Sequence, residues 1–318
     1  MGVQFPPGAP SLAGDVLSIN RFLKDTPWVM HALRTVNDEM FVGDKLLTAN
    51  ITTESGSVGY EQNESIYADR PPQPVPPGGE YPITPLSTGP ASTANTVNWG
   101  NDALLTDVSI SRQKYDVVGR GFRKLMNSHV QAVDTVAIAA VASSVTQNTN
   151  AIESWAADGT DAASINILRD LMRAATQLTK LKQGYRPNAV FVEPDVFANI
   201  VSDEKLMKLL PREYSGLDST PVRAGLNSAY MRQIGGFTFI TSPNAPALGK
   251  ALLVDTGVLG GFANEVVPAP GYVTAEDGLQ VKTMRDDETD GWRIRCRRIT
   301  VPVVLEPGAG WWINGVNA

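Results

Sequence analysis

The sequence has almost no cysteine and almost no histidine. Cys296 stands alone, so no intrachain disulfide can form, and a cysteine-built zinc site is not expected. A single thiol fits a chain that matures in a reducing cytoplasm. His31 and His129 are the only histidines, and a Ser-His-Asp triad would have to use one of them. No G-x-S-x-G elbow and no G-x-x-x-x-G-K-[ST] phosphate loop occurs. Long apolar runs are missing too; the run through Ala137–Ala142 is far short of a membrane span. The N-terminus lacks the layout of a signal peptide, and Pro6 stands where a myristoylation motif wants Ser or Thr. Without a secretion signal, the sequons at Asn50 and Asn63 read as chance. The expectation is a protein with no catalytic residues, no cofactor, no metal and no membrane contact.

A second scarcity is local. Residues 51–111 hold few aliphatic side chains but eight prolines: Pro71, Pro72, Pro74, Pro76, Pro77, Pro82, Pro85 and Pro90. Prolines fix φ and withhold backbone donors, so this stretch cannot build a sheet core or offset its own ordering entropy. Two strands are predicted around its tip, Ser57–Glu61 and Asn95–Trp99. Base is also scarce here. Glu54, Glu61, Glu64, Asp69, Glu80, Asp102 and Asp107 face Arg70 alone, so the segment carries a charge equal to the chain's whole net −6. A disordered linker is the competing reading, but Tyr60, Ile66, Tyr67, Tyr81, Ile83 and Trp99 are residues that such linkers lack. An arm that orders on another subunit needs them.

What is present elsewhere is helical and strand periodicity over 318 residues, enough for a sizeable core and two domains. Short helices are expected near Asp15–Leu23 and Trp28–Val36, with Pro27 between them. From Gln113 to Thr146 an apolar face recurs at Val118, Phe122, Leu125, His129, Val133, Val136 and Ala140. A helix of that length spans roughly 50 Å, more than a small domain needs. Its start is basic, with Arg120, Arg123 and Lys124. His129 lies on the apolar face, where a core or interface role is expected.

Residues 160–276 alternate helix and strand. Ser164 is the expected cap of a helix carrying Ile165, Leu168, Leu171, Met172, Ala175, Leu178 and Leu181. Gly184 and Pro187 end it, and strands follow at Asn188–Val192, Gly236–Thr241 and Ala251–Asp255. A helix opens at Pro194. Gly235-Gly236 and Gly260-Gly261 read as turns or bulges. Next comes a hairpin, Leu279–Met284 and Trp292–Arg297, around the acidic turn Asp286–Gly291. The apolar phase changes after Arg298, which predicts a bulge or bend. Arg293, Arg295, Arg297 and Arg298 are expected on a charged solvent face or against a neighbouring chain. The acidic turn lacks the spacing of a calcium loop.

In this order the parts resemble a tailed-bacteriophage major capsid protein, of the Hong Kong 97-type fold shared with encapsulins. The resemblance is one of pattern over most of the chain. It rests on Gly59-Tyr60-Glu61 through Tyr81-Pro82-Ile83, on the long helix, on Gly184–Val192, and on Arg297–Val303 through Trp312-Ile313. It implies an α+β fold: an N-terminal arm (1–46), an extended β-hairpin loop (47–112), a peripheral domain with a long spine helix (113–159 and 277–318), and an axial α/β domain (160–276). It further implies self-assembly into hexamers and pentamers of an icosahedral shell around weakly contacted double-stranded DNA, in a virion assembled in the bacterial cytoplasm. Portal and cement proteins are the implied partners. Met1 at the start of the arm points to a separate scaffold protein. Some members join a loop lysine to a neighbour's asparagine, but no lysine occurs here between Lys45 and Lys114. Candidate subunit-interface residues are Tyr60, Tyr67, Arg70, Tyr81, Trp99, Arg120, Arg123 and Lys124. The alternatives are an encapsulin-type compartment and a soluble α/β enzyme with a disordered insertion.

Overall fold

Long alternating segments near the C-terminus organise the protein, because each offers one apolar face to a helix and two edges to neighbouring strands. The computed structural model describes residues 23–24, 26–27, 29, 41–62, 65–84, 88–112, 117–156, 166–203, 232–234, 236–245, 249–274 and 278–317. Among these, two six-stranded sheets and one separate two-stranded ribbon carry a mixed α+β fold.

The first sheet runs β1 (Ala49–Thr53), β10 (Gly260–Glu265), β13 (Gly291–Val304), β12 (Leu279–Asp286) and β11 (Val273–Thr274). A further strand, β4 (Val97–Thr106), pairs with β13 on its other edge. Trp292, Ile294 and Cys296 face the core as the alternation predicts. The expected bulge after Arg298 is not there. The ladder between β13 and β4 runs unbroken from Gly291 to Thr300, and Arg298 and Thr300 simply continue the inward face, each 1 % exposed. Polar residues at two inward positions imitate a phase change.

Gly260 and Gly261 are likewise neither turn nor bulge. They begin β10 between β1 and β13, where a Cβ on Gly261 would lie 1.9 Å from the Ala49 carbonyl oxygen. Bare backbone is what lets three strands come together there. Gly236 does sit in a turn, at φ +88°, while Gly235 lies outside the described residues.

Over this sheet lies α3 (Val117–Ser144), with a short α2 (Asp107–Arg112) before it. The expected start at Gln113 falls outside the described residues. Val118, Phe122, Leu125, Met126, His129, Val130, Val133, Ala137, Ile138 and Val141 are buried, whereas Val136 and Ala140 are only half-buried. Gly121 costs helix propensity, but a Cβ there would come 3.2 Å from Leu105 Cδ2, so it lets α3 approach β4.

The second sheet runs β5 (Asn148–Asn150), β14 (Gly310–Asn314), β9 (Ala251–Val254), β6 (Ala189–Val192), β8 (Phe237–Thr241) and β7 (Arg232–Ile234). All four residues of β6 and of β9 are buried, as central strands require. Across it packs α4 (Ile167–Lys180) through Ile167, Leu171, Ala174 and Leu178. Asn166 caps this helix by accepting the Arg169 amide at 3.3 Å; the expected cap, Ser164, lies outside the described residues. Met172 and Leu181, expected on the stripe, are exposed. Helix α5 (Pro194–Ser202) opens on its proline.

The closing strand does not stay with residues 277–304. After Val304 the chain crosses into the second sheet as β14, and residues 305–309 are fastened on the way. The Leu305 and Glu306 amides both donate to Leu259 O (2.9 and 3.1 Å), the Asp255 amide donates to Ala309 O (3.1 Å), and the Tyr185 hydroxyl meets Glu306 Oε2 at 3.0 Å. Strand periodicity cannot say which of two sheets a strand joins.

The ribbon pairs β2 (Ser57–Glu61) with β3 (Ala91–Asn95). The first strand is as expected. The second lies N-terminal to Asn95–Trp99, because Val97–Trp99 belong to β4. Of the N-terminal helices, only Leu23, Lys24, Thr26, Pro27 and Val29 are described; all are helical, including the proline expected to interrupt. The rest of both segments lies outside the described residues.

Candidate assembly surfaces

An extended segment with large apolar side chains in solvent is the first surface. Residues 65–84 form no strand or helix. Within them Ile66 is 62 % exposed, Tyr67 58 %, Tyr81 79 % and Ile83 84 %. Folding normally covers such side chains, each worth roughly 1.5–3 kcal/mol when fully buried. Arg70 is exposed beside them and Tyr60 is half-buried on the ribbon. Trp99 is different, since it packs against the core from β4. The arm also touches its own body. Gln62 Nε2 donates to Val304 O at 2.8 Å, Thr96 bonds Glu265 at the root, and the Ile66 amide donates to Gln183 Oε1 at 3.2 Å.

Arg120, Arg123 and Lys124 lie exposed on the outer face of α3. The structure does not bring them together with the arm's aromatic residues within one chain. Two of the arm's acids are also already engaged. Asp102 accepts from Arg295 Nε and Nη2 at 2.8 and 2.7 Å, and Asp107 accepts from Arg285 at 2.9 and 2.7 Å. The hydrogen bond from Arg295, with the charges of Arg295 and Arg293, outweighs desolvation and holds the Asp102 carboxyl below its ordinary value. Arg293, Arg295 and Arg297 thus lie toward solvent, as expected, but with partners in their own chain, whereas Arg298 is buried. Arg293 reaches Asp286 at 3.3 Å, and Arg297 bonds Gln280 at 2.7 Å and lies 4.0 Å from the Tyr272 ring centroid. The pattern of charges gave no sign that the partners lay within the chain.

The acidic hairpin turn is occupied by its own contacts. Asp286 accepts the Glu288 amide at 3.2 Å, and Asp287 and Asp290 lie 3.6 and 4.0 Å from Arg285. Among the described residues no group of three His, Cys, Asp or Glu is placed to hold a metal ion. No described helix is long and apolar enough to cross a membrane.

A buried polar cluster under residues 41–50 was not foreseen. Asp134, fully buried on α3, accepts the Val42 and Gly43 amides at 3.2 and 2.9 Å, which start the short α1 (Gly43–Leu46). Arg298 forks onto both Asp44 oxygens at 3.1 and 2.9 Å, between the rings of Phe41 (5.2 Å) and Phe262 (4.9 Å). His129 is buried against Phe41, in line with the expected core or interface role. His31 lies outside the described residues. A lone Asp on an apolar helix face was the available signal for this cluster.

Comparison with known proteins follows the same lines. Residues 90–313 match the family described as phage capsid protein, which is more than half of the chain. No curated protein matches. Among solved structures, the capsid of the cyanophage P-SCSP1u is 12 % identical with TM-score 0.59, over 88 % of this chain and 89 % of that one. The virus-like particle of Pyrococcus furiosus is 12 % identical with TM-score 0.54, over 89 % and 96 %. The holo-SrpI encapsulin of Synechococcus elongatus is 14 % identical with TM-score 0.52, over 87 % and 89 %. At such identities these likenesses speak for the fold, and the fold is that of capsid and encapsulin subunits. Taken with the family match, they establish that the chain belongs to the phage capsid protein family.

Proposed function

We propose that this capsid-type shell protein assembles into hexamers and pentamers of an icosahedral shell that encloses double-stranded DNA. The observation that carries the reading is the arm, where Ile66, Tyr67, Tyr81 and Ile83 stand in solvent on a segment without strand or helix. In a shell that segment lies across a second copy and buries those side chains. Prolines limit the free arm and so lower the ordering cost of docking. Many modest contacts made at once suffice, because closed assembly multiplies them. Tyr60, Tyr67 and Tyr81 supply apolar anchors, Trp99 braces the root, and Arg70, Arg120, Arg123 and Lys124 fix register with charges on the neighbouring copy. Residues 113–159 and most of 277–318 serve as the peripheral part, and 160–276 as the axial part.

A net charge of −6 favours DNA that is contained and not gripped. Assembly in the host cytoplasm with separate scaffold and portal proteins, and with cement proteins outside, completes the proposal. The family match favours a phage shell over an encapsulin compartment.

Deleting residues 62–94 tests it. The expected outcome is a folded subunit that forms no stable shells by electron microscopy. Normal particles from the deleted chain would falsify the proposal.

A further inference from the structure

The arm does not leave its own subunit cleanly. At its root the Ile66 amide donates to Gln183 Oε1 at 3.2 Å, and Ile66 Cδ1 lies 4.0 Å from where a Cβ would stand on Gly184. Gln183 is presented by a turn just past the end of α4. Lys182 at φ +56° and Gly184 at φ +79° flank it, both in the left-handed region. A lysine adopts that conformation only where its surroundings impose it, and such residues cluster at clamps and switches.

Beside this turn, between α4 and the start of β8, opens a groove of about 500 Å3 with Ala175, Thr179, Tyr185, Pro187 and Phe237 along it. Two aromatic rings and a proline give an inserted side chain apolar walls, in a volume within the roughly 300–1,000 Å3 of ligand pockets. The Tyr185 wall is fixed by its hydroxyl's bond to Glu306 Oε2. Gly184 belongs both to this groove and to the Ile66 contact. Ile66 therefore stands at the rim, and Tyr67, the next residue of the arm, stands just beyond it, 58 % exposed.

We propose that this groove is a parking site for the chain's own arm: Ile66 and Tyr67 close into it in the free subunit and must leave it before they can reach a second copy. The parked arm is thus an autoinhibitory contact, which rests on the shell reading for its consequence. The same two side chains cannot be buried in their own subunit and in a neighbour at once. Parking therefore lowers the fraction of subunits competent to assemble. One exposed hydrogen bond contributes little, which suits a contact that a neighbour displaces.

Two measurements test the parking. The first uses the double variant Tyr67→Cys with Thr179→Cys; Cys296 is buried and stays out of the exchange. With oxidised glutathione, dissociated subunits should form the intrachain disulfide between the two new thiols. The oxidised subunits should then assemble at least about tenfold more slowly than the same subunits after reduction. The second is Ala175→Trp, which fills the groove. It should melt like the parent and begin to assemble at a concentration about threefold lower or less. No disulfide in dissociated subunits, or oxidised and reduced subunits that assemble alike, overturn the parking and leave the shell reading intact. If the cysteine pair fails to fold, an unchanged assembly threshold in Ala175→Trp overturns the parking by itself. A wild-type chain that forms no particles overturns the shell reading and the autoinhibition with it, whether or not the disulfide forms.

Discussion

Asp134 and His129 share one helix and are displaced in opposite directions. Burial, with the nearby Asp44 charge, pushes Asp134 up to about 6, against the hydrogen bonds from Gly43, Val42 and Asn244. Burial, with the positive charge of Arg298, pushes His129 down to about 4. The raised Asp134 contributes stability that is present below its ordinary value of 3.8 and lost as pH rises through about 6. The depressed His129 contributes stability that is present above 6.5 and lost as pH falls through about 4. Between pH 4 and 6 the two offset each other. Asp134→Asn removes one side of the balance. Its stability should therefore fall between pH 6.5 and 4 by up to about 3 kcal/mol, read from urea unfolding at several pH values. A variant equally stable across that range would remove the argument. Neither residue declared this role in the sequence, because the partners that set it, residues 42–44 and Arg298, are distant along the chain. Arg298 departs from its expected place for the same reason: nothing local shows that an arginine in a strand has the half-buried carboxylate of Asp44 waiting for it.

At the level of elements, strong periodicity was legible and weak chemistry was not. The long helix, the hairpin of β12 and β13, and the buried strands β6, β8 and β9 stand where alternation and apolar spacing put them. Strand β3 was missed because Ala-Ser-Thr-Ala-Asn holds no bulky β-former and is a strand only through its partner β2. The N-terminus of α4 was assigned to a good capping type at the wrong position. Asn166 holds the Arg169 amide and lies exposed, so Asn166→Ala should cost about 1 kcal/mol with little disturbance elsewhere. Thermal unfolding of that variant checks the assignment; an unchanged midpoint would argue for a different cap.

For the whole molecule, the sequence showed that the arm lacks a core of its own, and the structure agrees in leaving Tyr67 and Tyr81 in solvent. It could not show that Asp102 and Asp107 at the arm's root are neutralised by arginines of β12 and β13 in the same chain. Glu54, Glu61 and Glu80 stand exposed on the arm, where a neighbour can reach them. If a second copy covers the arm, limited proteolysis should cut residues 65–84 rapidly in dissociated subunits and slowly in shells. Equal cleavage in both would mean that the arm stays bare after assembly.

The short crossing from β13 to β14 has a mechanical consequence. With its amides bolted to Leu259 O and its far end to the Asp255 amide, it has no slack to pay out. A swivel of one sheet against the other would have to break these bonds. In the proposed shell, such fastening would leave the arms as the first place to give when the diameter changes.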